Sequence, residues 1–263
     1  MATPNSRQSV SLAEAEKILY QRDAIGPSEA VRQIFAALFF HEPKSLIEIN
    51  SEGINHVYKT TNKNGQEYLI RLHKDPNPHR VGSYIKAQWV TDRVRGEGIP
   101  APHIIHVGNS LVPYSYEVQE VLPGQPADEF KGDKFKIWQQ IGKYTAILHT
   151  IPAPGFGFRN PPELGQSLYF ETWLDFIEHE INRLTPAPKF VEQHVFENKF
   201  MSEVKTILSE MKTWQFTPAI DHGDIALKNI LVDKDGQVTG ILDWDESTFH
   251  RVPHYSIATT FPW

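Results

Sequence analysis

Apolar residues recur at helical spacing at the start of the chain, then at strand spacing, then at helical spacing again. Ser11 followed by Glu14 forms a capping box for a helix near 12–22. Pro27-Ser28 opens a second helix, with Val31, Ile34, Phe35 and Leu38 on one face. Period-two segments follow at Leu46-Ile-Glu-Ile, Val57-Tyr-Lys-Thr-Thr and Tyr68-Leu-Ile-Arg-Leu. The last two flank Asn62-Lys-Asn-Gly65, a hairpin turn. A helix is predicted near 83–96, ended by Gly98-Ile-Pro-Ala-Pro. Strands near 103–108 and 115–121 make about five antiparallel strands in all. Pro123-Gly124-Gln-Pro126 is a turn-rich linker. Beyond it, helices are predicted near 133–149, 169–184 and 195–213. The pattern predicts a two-lobed α+β fold. Residues 1–121 form an antiparallel-sheet lobe with two leading helices and one inserted helix, and residues 122–263 a mainly helical lobe.

Residues 221–245 break the helical pattern and carry the chemistry. They read DHGDIALKNILVDKDGQVTGILDWD. Two apolar runs flank a two-residue Asp235-Gly236 turn, so the chain folds back as a hairpin. Asn229 opens the first strand and Asp243 closes the second, which sets them side by side, with Asp224 one loop away. Two carboxylates and an amide oxygen in a small space suit a hard cation such as Mg²⁺, which shares oxygen ligands with phosphates. The plain alternative is a hairpin with polar ends, since Asp and Asn favour strand termini and turns.

The spacing D-x-x-x-x-N followed by a later Asp matches a kinase catalytic loop and its metal-binding carboxylate. HGD-x-x-x-x-N-I-L-V-D followed by G-I-L-D-W-D resembles the aminoglycoside phosphotransferase and choline kinase group of small-molecule kinases. Gly155-Phe-Gly-Phe, Thr172-Trp-Leu-Asp-Phe-Ile and Asp243-Trp-Asp-Glu-Ser-Thr-Phe resemble its hygromycin phosphotransferase branch. The resemblance covers roughly residues 45–260. It implies a protein-kinase-like fold whose C-terminal lobe is short, with the nucleotide, ATP or GTP, between the lobes. It also implies roles for single residues. Asp224 would take the proton of the attacking hydroxyl, Asn229 and Asp243 would hold Mg²⁺, and His222 would brace the catalytic loop. Lys228 would help neutralise the transferred phosphoryl group.

Other residues take their readings from position in that fold. Ser51, Gly53 and Asn55 lie where a kinase has its phosphate-covering loop, although the segment is not glycine-rich. Arg71 stands where a kinase places the lysine that meets the phosphates, with His73 and Lys74 as nearby substitutes. A kinase pairs that cation with a Glu on the next helix. Here the aligned position falls at Ala87 or Gln88, and Gln88 is expected to hydrogen-bond Arg71 instead. Glu120 and Leu122 mark the interlobe hinge that holds adenine. Asp245 and Glu246 are candidates for binding ammonium groups of a substrate or a second Mg²⁺, or else form a solvated acidic turn. In Tyr255-Ser256-Ile257-Ala258, Ser256 replaces an acid usual in the family.

Composition narrows the field. The 263 residues, 40% hydrophobic and 22% charged, suffice for two lobes with a buried core. The chain has no cysteine, which excludes disulfides and thiol chemistry and fits a reducing compartment, with the cytoplasm as default. A net charge of −6 argues against nucleic acid or anionic membrane as a partner and accommodates a cationic hydroxyl substrate, aminoglycoside-like or choline-like. Ile257, Phe261 and Trp263 are expected on an exposed apolar patch that invites homodimerisation. Two functions stay open. One is a Mg²⁺-dependent kinase acting on a small-molecule hydroxyl. The other is a catalytically impaired pseudokinase or nucleotide-binding regulatory module, which the absent helix Glu and Ser256 favour. A metal-dependent hydrolase is a poor third, for want of clustered histidines.

Overall fold

The structure is a computed structural model that describes residues 12–50, 53–75, 77–157, 169–183, 198–215 and 217–249. Two helices lead, α1 (Leu12–Ala24) and α2 (Pro27–Phe39). Pro27 takes a first-turn position, where its missing N–H has no helical partner to lose. Ala30, Val31, Ile34 and Phe35 on α2 are fully buried. Arg22 fastens α1 to the body. Its guanidinium donates to the backbone carbonyls of Pro113 at 2.8 Å, His73 at 2.6 Å, Asp75 at 3.2 Å, and Lys74.

Five antiparallel strands form one sheet. They are β1 (Ser45–Asn50), β2 (Asn55–Thr61), β3 (Glu67–His73), β4 (Ile104–Gly108) and β5 (Tyr116–Glu120), in the order β1-β2-β3-β5-β4. The β2–β3 turn is built as expected. Asn62 Oδ1 accepts from the backbone N–H of Asn64 and Gln66, and Gly65 has φ of 83°. One face of the sheet packs Tyr58, Ile70, Leu72, Tyr116 and Val118 against α2. The helix between β3 and β4, α3 (Val81–Gly96), does not join that core. Its Ala87, Val90 and Val94 are buried with Ile220, Ile241, Trp244 and Phe249, so α3 binds the sheet region to the second half of the chain.

The second half carries α4 (Lys134–Leu148), α5 (Trp173–Arg183) and α6 (Asn198–Met211). Its strands are short: β6 (Gln125–Pro126), β7 (Phe156–Gly157), β8 (Tyr169–Phe170), β9 (Ile220–Asp221), β10 (Ile230–Val232), β11 (Val238–Ile241) and β12 (Thr248–Phe249). Three expectations need correction here. Gln125-Pro126 is more than a linker, because it pairs with Leu231 and Val232 and widens the hairpin to three strands. Residues 169–170 pair as a strand with Phe156-Gly157, and the helix starts only at Trp173. The hairpin turn is longer than two residues. Asp233 Oδ1 accepts from the N–H of Asp235 and Gln237, and Gly236 has φ of 78°, so one side chain organises a wider loop.

Candidate active site

Two connectors face each other across the functional region, each held at both ends by the same strand pairs. Residues 222–229 run from β9 to β10, and residues 242–247 run from β11 to β12. β9 pairs with β12 through Thr248↔Asp221 and Phe249↔Ile220. β10 pairs with β11 through Ile230↔Ile241. The Leu242 N–H donates to the Asn229 carbonyl at 2.8 Å, which continues the ladder one step and brings Asn229 beside Asp243. Asn229 also closes the other connector, its Nδ2 donating to both the backbone oxygen and Oδ2 of Asp224 at 3.0 Å each. These bonds bring Asp224, Asn229 and Asp243 together.

The connectors touch closely at Gly223. This residue has φ of 84°, and a Cβ placed there would lie 2.3 Å from the Glu246 carbonyl oxygen. Only glycine combines the left-handed turn with that approach. Below it lies His222, fully buried, its ring 4.5 Å from that of Trp244. His222 Nε2 donates to the Leu242 carbonyl at 2.8 Å, and Nδ1 accepts from the Asp224 N–H at 3.3 Å. The second bond requires an unprotonated Nδ1, and burial lowers the ring's pKa, so the imidazole is neutral. It ties one connector to the other at the root of Asp224 and Asp243. Lys228 is exposed, with Nζ 3.6 Å from Asp224 Oδ2, a distance and exposure worth little in stability.

Asp243 is one of two non-glycine residues with positive φ among the described residues, at φ 68° and ψ 52°. That conformation costs about 1–2 kcal/mol and turns the carboxylate out of the strand. It meets Arg71, whose Nη2 lies 2.9 Å from Asp243 Oδ1. The same guanidinium reaches Asp245 at 3.4 Å and Glu117 at 3.4 Å. Asn55, the first residue of β2, satisfies both neighbours when Nδ2 donates to the Tyr84 hydroxyl at 2.8 Å and Oδ1 accepts from Arg71 Nη2 at 3.0 Å.

Three carboxylates therefore share one guanidinium. Burial opposes the charge on Arg71, but Asp245 and Glu117 outweigh it and hold the pKa well above its ordinary value. The carboxylates are not equally served. Burial pushes Glu117 up to about 7 despite Arg71. Burial, and next the Asp245 charge, also raise Asp243, whereas Asp245 stays low because Arg71 outweighs its own burial. One cation cannot compensate all three, so ionisation leaves negative charge in excess at Asp243 and is disfavoured there.

That excess fits a divalent cation. Asn229 spends its amide N–H groups on Asp224, and its Oδ1 accepts no hydrogen bond among the described residues. The Asp243 side chain is 39% exposed, unlike Asp245 at 7%. The Asp243 carboxylate thus remains accessible, and the Asn229 amide oxygen, on a residue 8% exposed, is uncommitted among the described residues. Among the described residues no group of three or more His, Asp or Glu side chains could hold a metal unaided. A Mg²⁺ ion held there would complete its shell with water and substrate phosphates.

Several expected residues are placed differently. Asp245 is directed at Arg71 and away from solvent. Only Glu246 of that pair is exposed. Gln88 does not contact Arg71, since its amide donates to the Ile104 carbonyl at 3.0 Å. Asn55 is wedged between Arg71 and Tyr84 and does not sit in an open loop. Gly53 is exposed, and a Cβ there would meet nothing within 4 Å. At the hinge, the Glu120 carboxylate lies 3.6 Å from His103, and Leu122 packs over Gly240 of β11. Ser51, Ser256, Ile257, Phe261 and Trp263 lie outside the described residues. Glu117, Tyr84, Lys86 and Gly223 carry no expected role. The signals for two of them were a carboxylate between Tyr116 and Val118 on β5 and a glycine directly before Asp224.

The profile of the phosphotransferase enzyme family matches residues 45–252. No curated protein matches the chain. Among solved structures it is similar to a thermostable mutant of aminoglycoside phosphotransferase APH(4)-Ia, in ternary complex with ADP and hygromycin B. The TM-score is 0.64 at 20% identity, over 88% of this chain and 75% of that one. It is also similar to the macrolide 2'-phosphotransferase MphH from Brachybacterium faecium, with TM-score 0.59 at 16% identity over 88% and 75%. A third is the GDP and kanamycin complex of APH(2")-IIia, with TM-score 0.56 at 16% identity over 82% and 72%. The kinase-like fold is shared with all three. With the profile spanning most of its length, the chain belongs to the phosphotransferase enzyme family.

Proposed function

We propose that this chain transfers the γ-phosphoryl group of a nucleoside triphosphate, in a Mg²⁺-dependent reaction, to a hydroxyl of a small molecule. The observation that carries this reading is the Asn229 side chain. It donates to Asp224, while the backbone carbonyl of the same residue accepts from the Leu242 N–H beside Asp243, so one residue links a proton acceptor to a metal ligand. Asp224, with a side chain 35% exposed, accepts the proton of the attacking hydroxyl. The hydroxyl oxygen bonds to the γ-phosphorus, the bond from that phosphorus to the bridging oxygen breaks, and the electron pair leaves on the nucleoside diphosphate. Asn229 Oδ1 and Asp243 would hold Mg²⁺, which when bound neutralises charge on the phosphates. Arg71 adds a fixed positive charge beside them. Catalysis rests on positioning and electrostatics, as phosphoryl transfer requires little covalent participation by the protein.

The similar structures hold ADP with hygromycin B and GDP with kanamycin, which supports a purine nucleotide and a polyhydroxylated amine as first probes. The chain's net charge of −6 suits a cationic acceptor. The test is a screen of Mg·ATP and Mg·GTP against aminoglycosides, macrolides and small amino alcohols, with and without the Asp224→Ala substitution. Asp224→Ala should keep nucleotide affinity within about threefold and lower transfer by about a thousandfold or more. Equal loss of binding and transfer would remove Asp224 from the role of proton acceptor.

A further inference from the structure

We propose that Glu117 on β5 is the residue that positions Arg71 for the nucleotide phosphates, and that helix α3 contributes a cation, Lys86, in place of the usual carboxylate. The inference rests on the reading above that Arg71 meets phosphate. It explains how a chain whose α3 turns no acid toward Arg71, its Asp92 being exposed, can still hold that cation.

Helix α3 offers no acid toward the sheet. Tyr84, Lys86 and Ala87 are its buried residues there, and Gln88 is committed to the Ile104 carbonyl. Lys86 is 4% exposed, and its Nζ donates to the Ser247 carbonyl at 2.7 Å. It therefore fastens the helix to the connector that carries Asp243 and Asp245, and its charge adds to that of Arg71 on Asp245. The carboxylate comes from the sheet. Arg71 and Glu117 stand directly opposite each other in the β3–β5 ladder, so both side chains project from the same face. Nη1 and Oε1 are 3.4 Å apart.

Two observations say that Glu117 serves more than packing. Its side chain is 1% exposed, and its Oε2 has no hydrogen-bond partner among the described residues. A buried carboxylate with one orphaned oxygen is a cost to the fold that a neutral side chain would avoid. In addition, the Arg71 contact to Asp243 uses the carboxylate that would serve as metal ligand. When Asp243 is engaged elsewhere, Glu117 and Asp245 are the two carboxylates left to fix the guanidinium. Because the Arg71–Glu117 pair joins two strands of one sheet, it forms without any movement of α3. A strand–helix pair would instead make the phosphate cation conditional on the helix position.

The experiment is calorimetric titration of the full chain at pH 8 with Mg·AMP-PNP and, separately, with adenosine, which lacks phosphates. Glu117→Gln should weaken Mg·AMP-PNP by about tenfold and leave adenosine within about twofold. Glu117→Asp should recover part of the loss. In an Arg71→Ala background, Glu117→Gln should have no further effect. If Glu117→Gln does not fold, Glu117→Asp carries the same comparison, with a smaller loss confined to Mg·AMP-PNP. Equal weakening of both ligands, or an undiminished tenfold loss without Arg71, would overturn the assignment. A wild-type chain that fails to bind Mg·AMP-PNP at all would refute the phosphotransfer reading itself, a separate result.

Discussion

Gly223→Ala perturbs the candidate site by a single methyl group, and its cost can be worked from two numbers. The first is φ of 84°, a left-handed backbone that costs an L-residue about 1–2 kcal/mol. The second is the 2.3 Å that would separate the new Cβ from the Glu246 carbonyl oxygen. Real Cβ atoms essentially never come within 3.0 Å, so the connectors must part by at least 0.7 Å, the difference between the two. The opposing atom is backbone and has little freedom. Its turn is closed by the Ser247 N–H and Oγ, both donating to the Trp244 carbonyl, and anchored by Lys86. The strain and overlap together should lower stability by about 2–4 kcal/mol. The functional loss should be larger. A displacement approaching 1 Å between Asp224 and Asp243 is enough to lower transfer by about a hundredfold. Gly236→Ala is the control. Its φ of 78° brings the same backbone cost, but its nearest contact is a Phe130 ring atom at 3.1 Å, in the wide hairpin loop away from the connectors. Urea unfolding and release of γ-phosphate to water, measured on both variants, separate the effects. Gly223→Ala should lose both stability and transfer, and Gly236→Ala about 1 kcal/mol of stability alone. Wild-type transfer in Gly223→Ala, or equal loss of transfer in Gly236→Ala, would refute the close-contact reasoning.

Stability should fall as pH rises through the range set by Glu117. Burial lifts this carboxyl from 4.5 to about 7 in the folded chain, so between those values the folded state keeps a proton that the unfolded state has released. Up to ~3 kcal/mol is lost across that window, and urea unfolding of Glu117→Gln should show a flatter pH profile than wild type and no loss of stability at pH 7.5. A variant clearly less stable than wild type at that pH would contradict this. His222→Ala removes the partners of the Leu242 carbonyl and the Asp224 N–H and leaves space beneath Trp244. It should cost about 2–4 kcal/mol by chemical denaturation, and a loss below 0.5 kcal/mol would show the ring to be dispensable. Arg22→Met strands the carbonyls of residues 73–75 and Pro113. Hydrogen exchange should then speed up in α1 and after β3, with about 2–4 kcal/mol lost in unfolding, and unchanged exchange in α1 would show that Arg22 does not fasten it.

Local periodicity made the sheet, α2 and α3 legible, because hairpins and amphipathic helices encode their own partners within a few residues. The same holds for the β10–β11 hairpin, which sets Asn229 beside Asp243. Its turn was misread because Asp233 reaches across to two backbone N–H groups, a side-chain choice that competes with the Asp235-Gly236 signal. The two-residue strands were not legible. β6, β7, β8, β9 and β12 have no room for a period and exist only because distant segments supply their hydrogen bonds. Yet the pairing of β9 with β12 holds Asp224 and Asp243 on facing connectors as much as the hairpin does.

The charges around Arg71 were hidden for a different reason. Sequence alignment asks which residue occupies a helix position, and at Ala87 or Gln88 it finds no acid. Electrostatics asks only that a carboxylate come within reach of the guanidinium, from whatever element. Glu117 is 46 residues from Arg71 in sequence and directly opposite it in the ladder. That registry depends on β5 entering the sheet between β3 and β4, which no local pattern states. The lack of an acid at the Ala87 or Gln88 position of α3 is therefore no reason to infer an inactive relative. With Lys86 on the helix and Glu117 on the strand, the two signs have changed places while the cation keeps its anchor. The arrangement also sets stability against function. Glu117, Asp243 and Asp245 face two cations, so with all three ionised the ligand-free site carries uncompensated negative charge, and a bound Mg·nucleotide would draw part of its affinity from relieving it. A neutral residue at 117 should make the empty protein sturdier and the loaded one weaker. Opposite signs for those two changes are what a site built for a cation requires, and a purely structural ion pair would move both the same way.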